Sequence, residues 1–131
     1  MSENKKVLII EDEASLLSAL MEKFKRKGFS VFGAKDGQEG LEAALKIHPD
    51  IILLDLLMPV MDGITMLRKL RNDVKNKEIR VLVLTNLSDV DKASEAAKLG
   101  AFDYIVKSDW KINDIVKRVT DILNKLPEKN A

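Results

Sequence analysis

Five short apolar runs alternate with five amphipathic segments, and this alternation limits the fold more than any other feature of the chain. The runs are "VLII" (7–10), "SVFGA" (30–34), "DIILLD" (50–55), "VLVLT" (81–85) and "DYIVK" (103–107). The first, third and fourth are nearly continuous in Val, Ile and Leu, the mark of strands covered on both faces in a parallel sheet. Each is too short for a typical buried helix. Between them, Leu17, Leu20, Met21 and Phe24 recur at helical spacing, as do Leu41, Ala44 and Leu45, and Ile64, Leu67 and Leu70. Ile112, Ile115, Val116, Val119, Ile122 and Leu123 form the longest stripe. Gly28 and Gly100 follow expected helix ends, where a left-handed residue is needed. Asp36 and Ser88 stand as N-caps with an acid three residues on, and Pro127 follows the last helix.

Such alternation implies parallel strands joined by right-handed crossovers. Five units predict an α/β, flavodoxin-like doubly wound sheet of order 2-1-3-4-5. The expectation is one domain over residues 1–131, with a core of about 5–126 and a flexible tail at 127–131. The fourth amphipathic segment, "DVDKASEAAKLG", differs from the rest. Its apolar residues are Val90, Ala93, Ala96, Ala97 and Leu99, most of them small. It buries less area than a Leu/Ile stripe, so it should be the least firmly anchored helix.

Composition removes several functions. The absence of cysteine excludes disulfides, thiol catalysis and thiolate metal sites. With 22 basic and 21 acidic residues, the net charge of +1 offers no general attraction to nucleic acid or membrane. "KFKRKG" reads as a solvated helix end. The leading "MSENKK" lacks the apolar stretch of a secretory signal, and no apolar run reaches the ~20 residues that span a bilayer. A cytoplasmic location is expected.

In an open parallel sheet, ligands bind beyond the carboxyl ends of the strands, at the point where strand order reverses. Here that point lies between strands one and three, which end in "IIEDE" and "LLDLL". Glu11, Asp12 and Asp55 should therefore converge, with Thr85 and Lys107 on the same edge. Each has an ordinary reading on its own. Asp55 could be a cap or a salt-bridged edge residue, Glu11 and Asp12 acids favoured by a helix dipole, Thr85 a β-branched strand end, and Lys107 a solvated lysine. Together they suit a hard divalent cation such as Mg²⁺, since crowded carboxylates repel one another unless neutralised. No Cys and a single His48 disfavour an ordinary zinc site. A carboxylate nucleophile, a metal, a lysine and a hydroxyl match phosphoryl transfer, with Asp55 as the acceptor. His48, before Pro49, belongs at the opposite end of the sheet and reads as a surface residue. Asp62 reads as a helix cap, Gly63 as a backbone requirement, and Met58 and Met61 as loop packing.

These residues resemble the receiver domain of two-component response regulators, of the single-domain, chemotaxis-regulator-like kind. The resemblance rests on Glu11–Asp12, Asp55, "MPVMDG" (58–63), "LT" at 84–85, Tyr104 and Lys107. It implies phosphorylation of Asp55 by a sensor histidine kinase or phosphotransfer protein, with Mg²⁺ or Mn²⁺ required. It implies metal ligation by Asp12, Asp55 and the backbone carbonyl of Leu57, with Glu11 acting mostly through water. It further implies that Thr85 and Tyr104 report the modified state. The surface of the fourth helix, fifth strand and fifth helix would then control a downstream protein target. The expected product is a monomeric signalling switch rather than a turnover enzyme, with no nucleic acid or membrane partner.

Two departures stand out. Ser108 replaces the proline usual after the lysine, which leaves the isomer of that peptide bond open, and Trp110 follows as either a cover for the fifth helix or a partner contact. Leu57 and Leu87 occupy positions that flank the acyl phosphate in relatives. Being apolar, they cannot orient an attacking water, so self-dephosphorylation should be slow. Among rivals, a flavin or dinucleotide site fails because "EDEAS" is acidic and lacks the Gly-rich phosphate loop. An aspartyl-phosphatase would need an acid where Leu57 stands. A receiver-like protein that binds partners without phosphorylation remains the third alternative.

Overall fold

The computed structural model describes residues 5–58, 60–73, 78–86 and 90–125. The readings placed on Leu87, Ser88, Pro127 and the tail lie outside the described residues. The chain runs β1 (Lys6–Ile10), α1 (Ala14–Arg26), β2 (Ser30–Ala34), α2 (Gly37–Ile47), β3 (Ile51–Asp55), α3 (Gly63–Asn72), β4 (Arg80–Thr85), α4 (Val90–Lys98), β5 (Asp103–Val106) and α5 (Ile112–Lys125). All pairings are parallel, and the sheet order is β2-β1-β3-β4-β5, the flavodoxin-like arrangement expected.

The continuous apolar runs work as anticipated, because successive residues of a strand point to opposite faces. Val7, Ile9, Ile51, Leu53, Leu82 and Leu84 join Leu20 and Phe24 of α1 and the stripe of α5 on one face. Leu8, Ile10, Ile52, Leu54, Val81 and Val83 meet α2, α3 and Ala96 of α4 on the other. Each large aliphatic side chain buried this way contributes roughly 1.5–3 kcal/mol. The three central strands thus carry two cores at once.

Helix ends follow local chemistry. The Asp36 carboxylate accepts the Glu39 N–H at 2.8 Å, and Asp62 accepts the Thr65 N–H at 2.9 Å. Gly28 and Gly100 adopt φ of 93° and 83°, the left-handed turn expected after α1 and α4. His48 ends α2 in the same region, exposed and at the amino edge of the sheet, away from the acids.

The fourth helix buries only alanines among its described side chains, Ala93 and Ala96. Its carboxyl end has an anchor that the apolar spacing did not show. The half-buried Arg71 guanidinium, from the end of α3, donates to the carbonyls of Leu99 (2.7 Å), Gly100 (3.0 Å) and Ile79 (2.8 Å). One side chain therefore ties the α4–β5 turn to the approach to β4.

Candidate functional site

Register sets the site. Ile10 pairs with Leu54, so Glu11, one residue past β1, lies level with Asp55 at the end of β3. Asp55 pairs with Leu84, which puts Thr85 one step further along β4. Thr85 pairs with Val106, so Lys107 starts where β5 stops. Lys107 is not in the strand but opens a 3-10 turn over Lys107–Asp109, and the Lys107–Ser108 bond is trans.

Carboxylate oxygens of Glu11, Asp12 and Asp55 all lie within 4.8 Å of one another. Asp12 is exposed, whereas Glu11 and Asp55 are buried. Glu11 Oε2 accepts the Glu13 N–H at 3.0 Å, just before α1 begins. Glu11 Oε1 faces Lys107 Nζ at 2.8 Å but off the hydrogen-bonding direction, so this buried oxygen has an ion-pair partner and no hydrogen bond. The same ammonium lies 3.4 Å from Asp55 Oδ2. Asp55 Oδ1 accepts the Leu57 N–H at 3.3 Å.

Three carboxylates face one ammonium, and the balance is unfavourable to the ionised acid. Burial first, then the charge of Glu11, push the Asp55 carboxyl up to about 7, against the pull of Lys107 and the Leu57 N–H. Burial alone would lower Lys107, but Glu11 and Asp55 outweigh it and hold the ammonium above its ordinary value. Proximity, an under-bonded buried oxygen and excess negative charge are what a hard divalent cation relieves, and all donors are oxygen. The residues present fit Mg²⁺ or Mn²⁺.

Thr85 and Tyr104 are the other two candidates. Thr85 is buried, and its hydroxyl donates to the Asn86 carbonyl at 3.1 Å. Tyr104 is 45% exposed, so it is not the core aromatic that its residue type would suggest. Because Ile105 faces the α5 side, Tyr104 faces the α4 side of β5. Trp110 lines a shallow depression with Asp114, Lys117 and Arg118 of α5, partly covering that helix. The ion pair between Lys107 and Glu11 was not foreseen, since both were assigned separately to the edge.

Residues 7–120 match the response regulator receiver domain family. This chain belongs to that family. The receiver is 35% identical over 104 residues to the sporulation initiation phosphotransferase F of Bacillus subtilis, covering 79% of this chain and 82% of that protein. It is 33% identical over 129 residues to a probable transcriptional regulator, ycf27, of Porphyridium aerugineum, covering 98% of this chain but 52% of that one. The receiver thus spans about half the length of that relative. Among solved structures, the chemotaxis response regulator CheY4 of Vibrio cholerae superposes with a TM-score of 0.82 at 28% identity, covering 91% of this chain and 98% of that one. A Francisella response regulator receiver domain gives 0.81 at 30% identity, covering 93% and 98%.

Proposed function

We propose that this receiver is a phosphoacceptor switch whose Asp55 takes a phosphoryl group in a reaction that requires Mg²⁺ or Mn²⁺. The observation that carries the reading is the convergence of Glu11, Asp12 and Asp55 on one point, with Lys107 between two of them. An Asp55 carboxylate oxygen attacks the phosphorus of the donor. A new P–O bond forms as the bond to the leaving group breaks, and that group departs with its electron pair. Asp12, Asp55 and the Leu57 carbonyl would hold the metal directly, and Glu11 would hold it through water. When bound, the metal offsets negative charge on the transferred phosphoryl oxygens. Lys107 would add a second positive charge beside Asp55, and such neutralisation is most of what a protein contributes to this reaction.

After transfer, Asp55 carries roughly −1.5 to −2 of added charge and new acceptor oxygens. The Thr85 hydroxyl exchanges the Asn86 carbonyl for a phosphoryl oxygen. Tyr104 turns inward into the space released, and the surface of α4, β5 and α5 changes for a downstream protein. The donor is a sensor histidine kinase or phosphotransfer protein. Leu57, two residues past Asp55, is apolar and cannot orient an attacking water, so the phosphoryl group is lost slowly. The unit acts as one receiver domain in the cytoplasm, as a monomer. Incubation with acetyl phosphate and Mg²⁺ should add one phosphoryl mass to wild type and none to Asp55→Asn. Equal gain in both would refute the assignment.

A further inference from the structure

We infer that Gly37, at the start of α2, is a positioning residue that fixes the loop between β3 and α3, which leads out of Asp55. The inference rests on the metal reading above, because that loop supplies the Leu57 carbonyl. The loop is held at two places. At its base, the Gly63 N–H donates to the Leu56 carbonyl at 2.9 Å. At its crown, the Met61 carbonyl accepts the Gly37 N–H at 3.1 Å.

The second contact tolerates no side chain. A Cβ on Gly37 would lie 2.1 Å from the Met61 carbonyl oxygen and 2.8 Å from its carbon. These are backbone atoms, which cannot rotate away as a side-chain tip can. An alanine there must push the loop by about 1 Å to restore ordinary contact. The loop has little slack to absorb this. Val60, next to Met61, holds φ at 68°, a left-handed conformation that a β-branched residue adopts only when its surroundings impose it. Met61 and Leu57 belong to the same short loop, and the Leu57 N–H is bonded to Asp55.

Gly40, one turn further along α2, is the internal control. The three atoms that a Cβ there would meet first are all in the Ile10 side chain, the nearest at 2.5 Å. Its first strain therefore falls on core packing rather than on the backbone of the loop.

The test is a calorimetric Mg²⁺ titration of wild type, Gly37→Ala and Gly40→Ala, with thermal melts of all three and amide hydrogen exchange of Gly37 in wild type. Gly37→Ala should weaken Mg²⁺ about 10-fold, as loss of an outer-shell partner does. Gly40→Ala should melt lower yet bind Mg²⁺ like wild type. By reciprocity of coupling, Mg²⁺ should slow exchange of the Gly37 amide in wild type, a readout that stands even if Gly37→Ala fails to fold. Equal affinity in Gly37→Ala and wild type would overturn the inference alone. So would an equal loss in both variants, or Gly37 exchange indifferent to Mg²⁺. Wild type that binds no Mg²⁺ would overturn the functional reading as well.

Discussion

The two sides of the sheet's carboxyl edge are built differently. On the β1–β3 side, Glu11 and Asp55 are buried and bonded to backbone N–H groups of the next turn, and the loop that follows Asp55 is tied to Gly37 and closed by Gly63. On the α4–β5 side, α4 presents alanines to the core, and Phe102 and Tyr104 are about half exposed. The first side spends backbone hydrogen bonds on holding a few atoms still. The second keeps its large apolar groups outside, where little packing opposes their rotation. Lys107 joins the sides, since it follows β5 yet sits against Glu11 and Asp55. The residue that opens the chain leading into α5 is therefore in direct ionic contact with the acids.

Cutting that link should have the largest effect. Lys107→Ala removes the positive charge facing the transferred group, and phosphorylation by acetyl phosphate should slow about 100-fold. Stopped-flow or mass measurements would show it, and an unchanged rate would mean that the two sides are not joined through this lysine.

Arg71→Ala tests how far the α4–β5 side depends on this long-range anchor. Three carbonyls lose a charged donor at once, which should cost about 2–3 kcal/mol in urea unfolding. Amide exchange should rise first from Leu99 to Phe102, and uniform loss of protection across the sheet would break the proposed contrast.

Asp55→Asn addresses the opposite side through pH. The folded-state pKa of about 7 lies above the unfolded value of 3.8, so folding favours the neutral carboxyl. This contribution is fully present below the unfolded pKa and is lost as pH rises through 7. Metal-free Asp55→Asn should therefore be more stable than wild type by about 1–2 kcal/mol at pH 8, with the gain shrinking toward pH 4. A gain that grows on acidification would contradict the burial argument. Tyr104→Ala should have the smallest effect, under about 1 kcal/mol, because the ring is half in solvent. A larger loss in thermal melts would place the ring in the core.

Much of this was legible from periodicity, which reports what each residue's own element does. The runs of β1, β3 and β4 announced a doubly covered sheet, and Asp36, Asp62, Gly28 and Gly100 announced helix ends, because each acts within four residues of itself. Strand order followed from the alternation, and convergence of Glu11, Asp12 and Asp55 followed from strand order. The rest depends on contacts between distant backbone and side-chain atoms, which leave no period. Arg71 reaches carbonyls 28 and 29 residues away. Gly37 is set by a carbonyl on another loop, and Lys107 chooses Glu11 as its nearest acid only once β5 is placed. Tyr104 lies half outside, beside a helix whose described buried side chains are alanines.

The central claim is that acids from β1 and β3 share one cation. Calorimetric Mg²⁺ titration at pH 8 of wild type, Asp12→Asn and Asp55→Asn tests it most directly. One Mg²⁺ per chain in wild type, weakened strongly by either substitution, is the predicted result. Binding that survives both substitutions, or no binding in wild type, would contradict it.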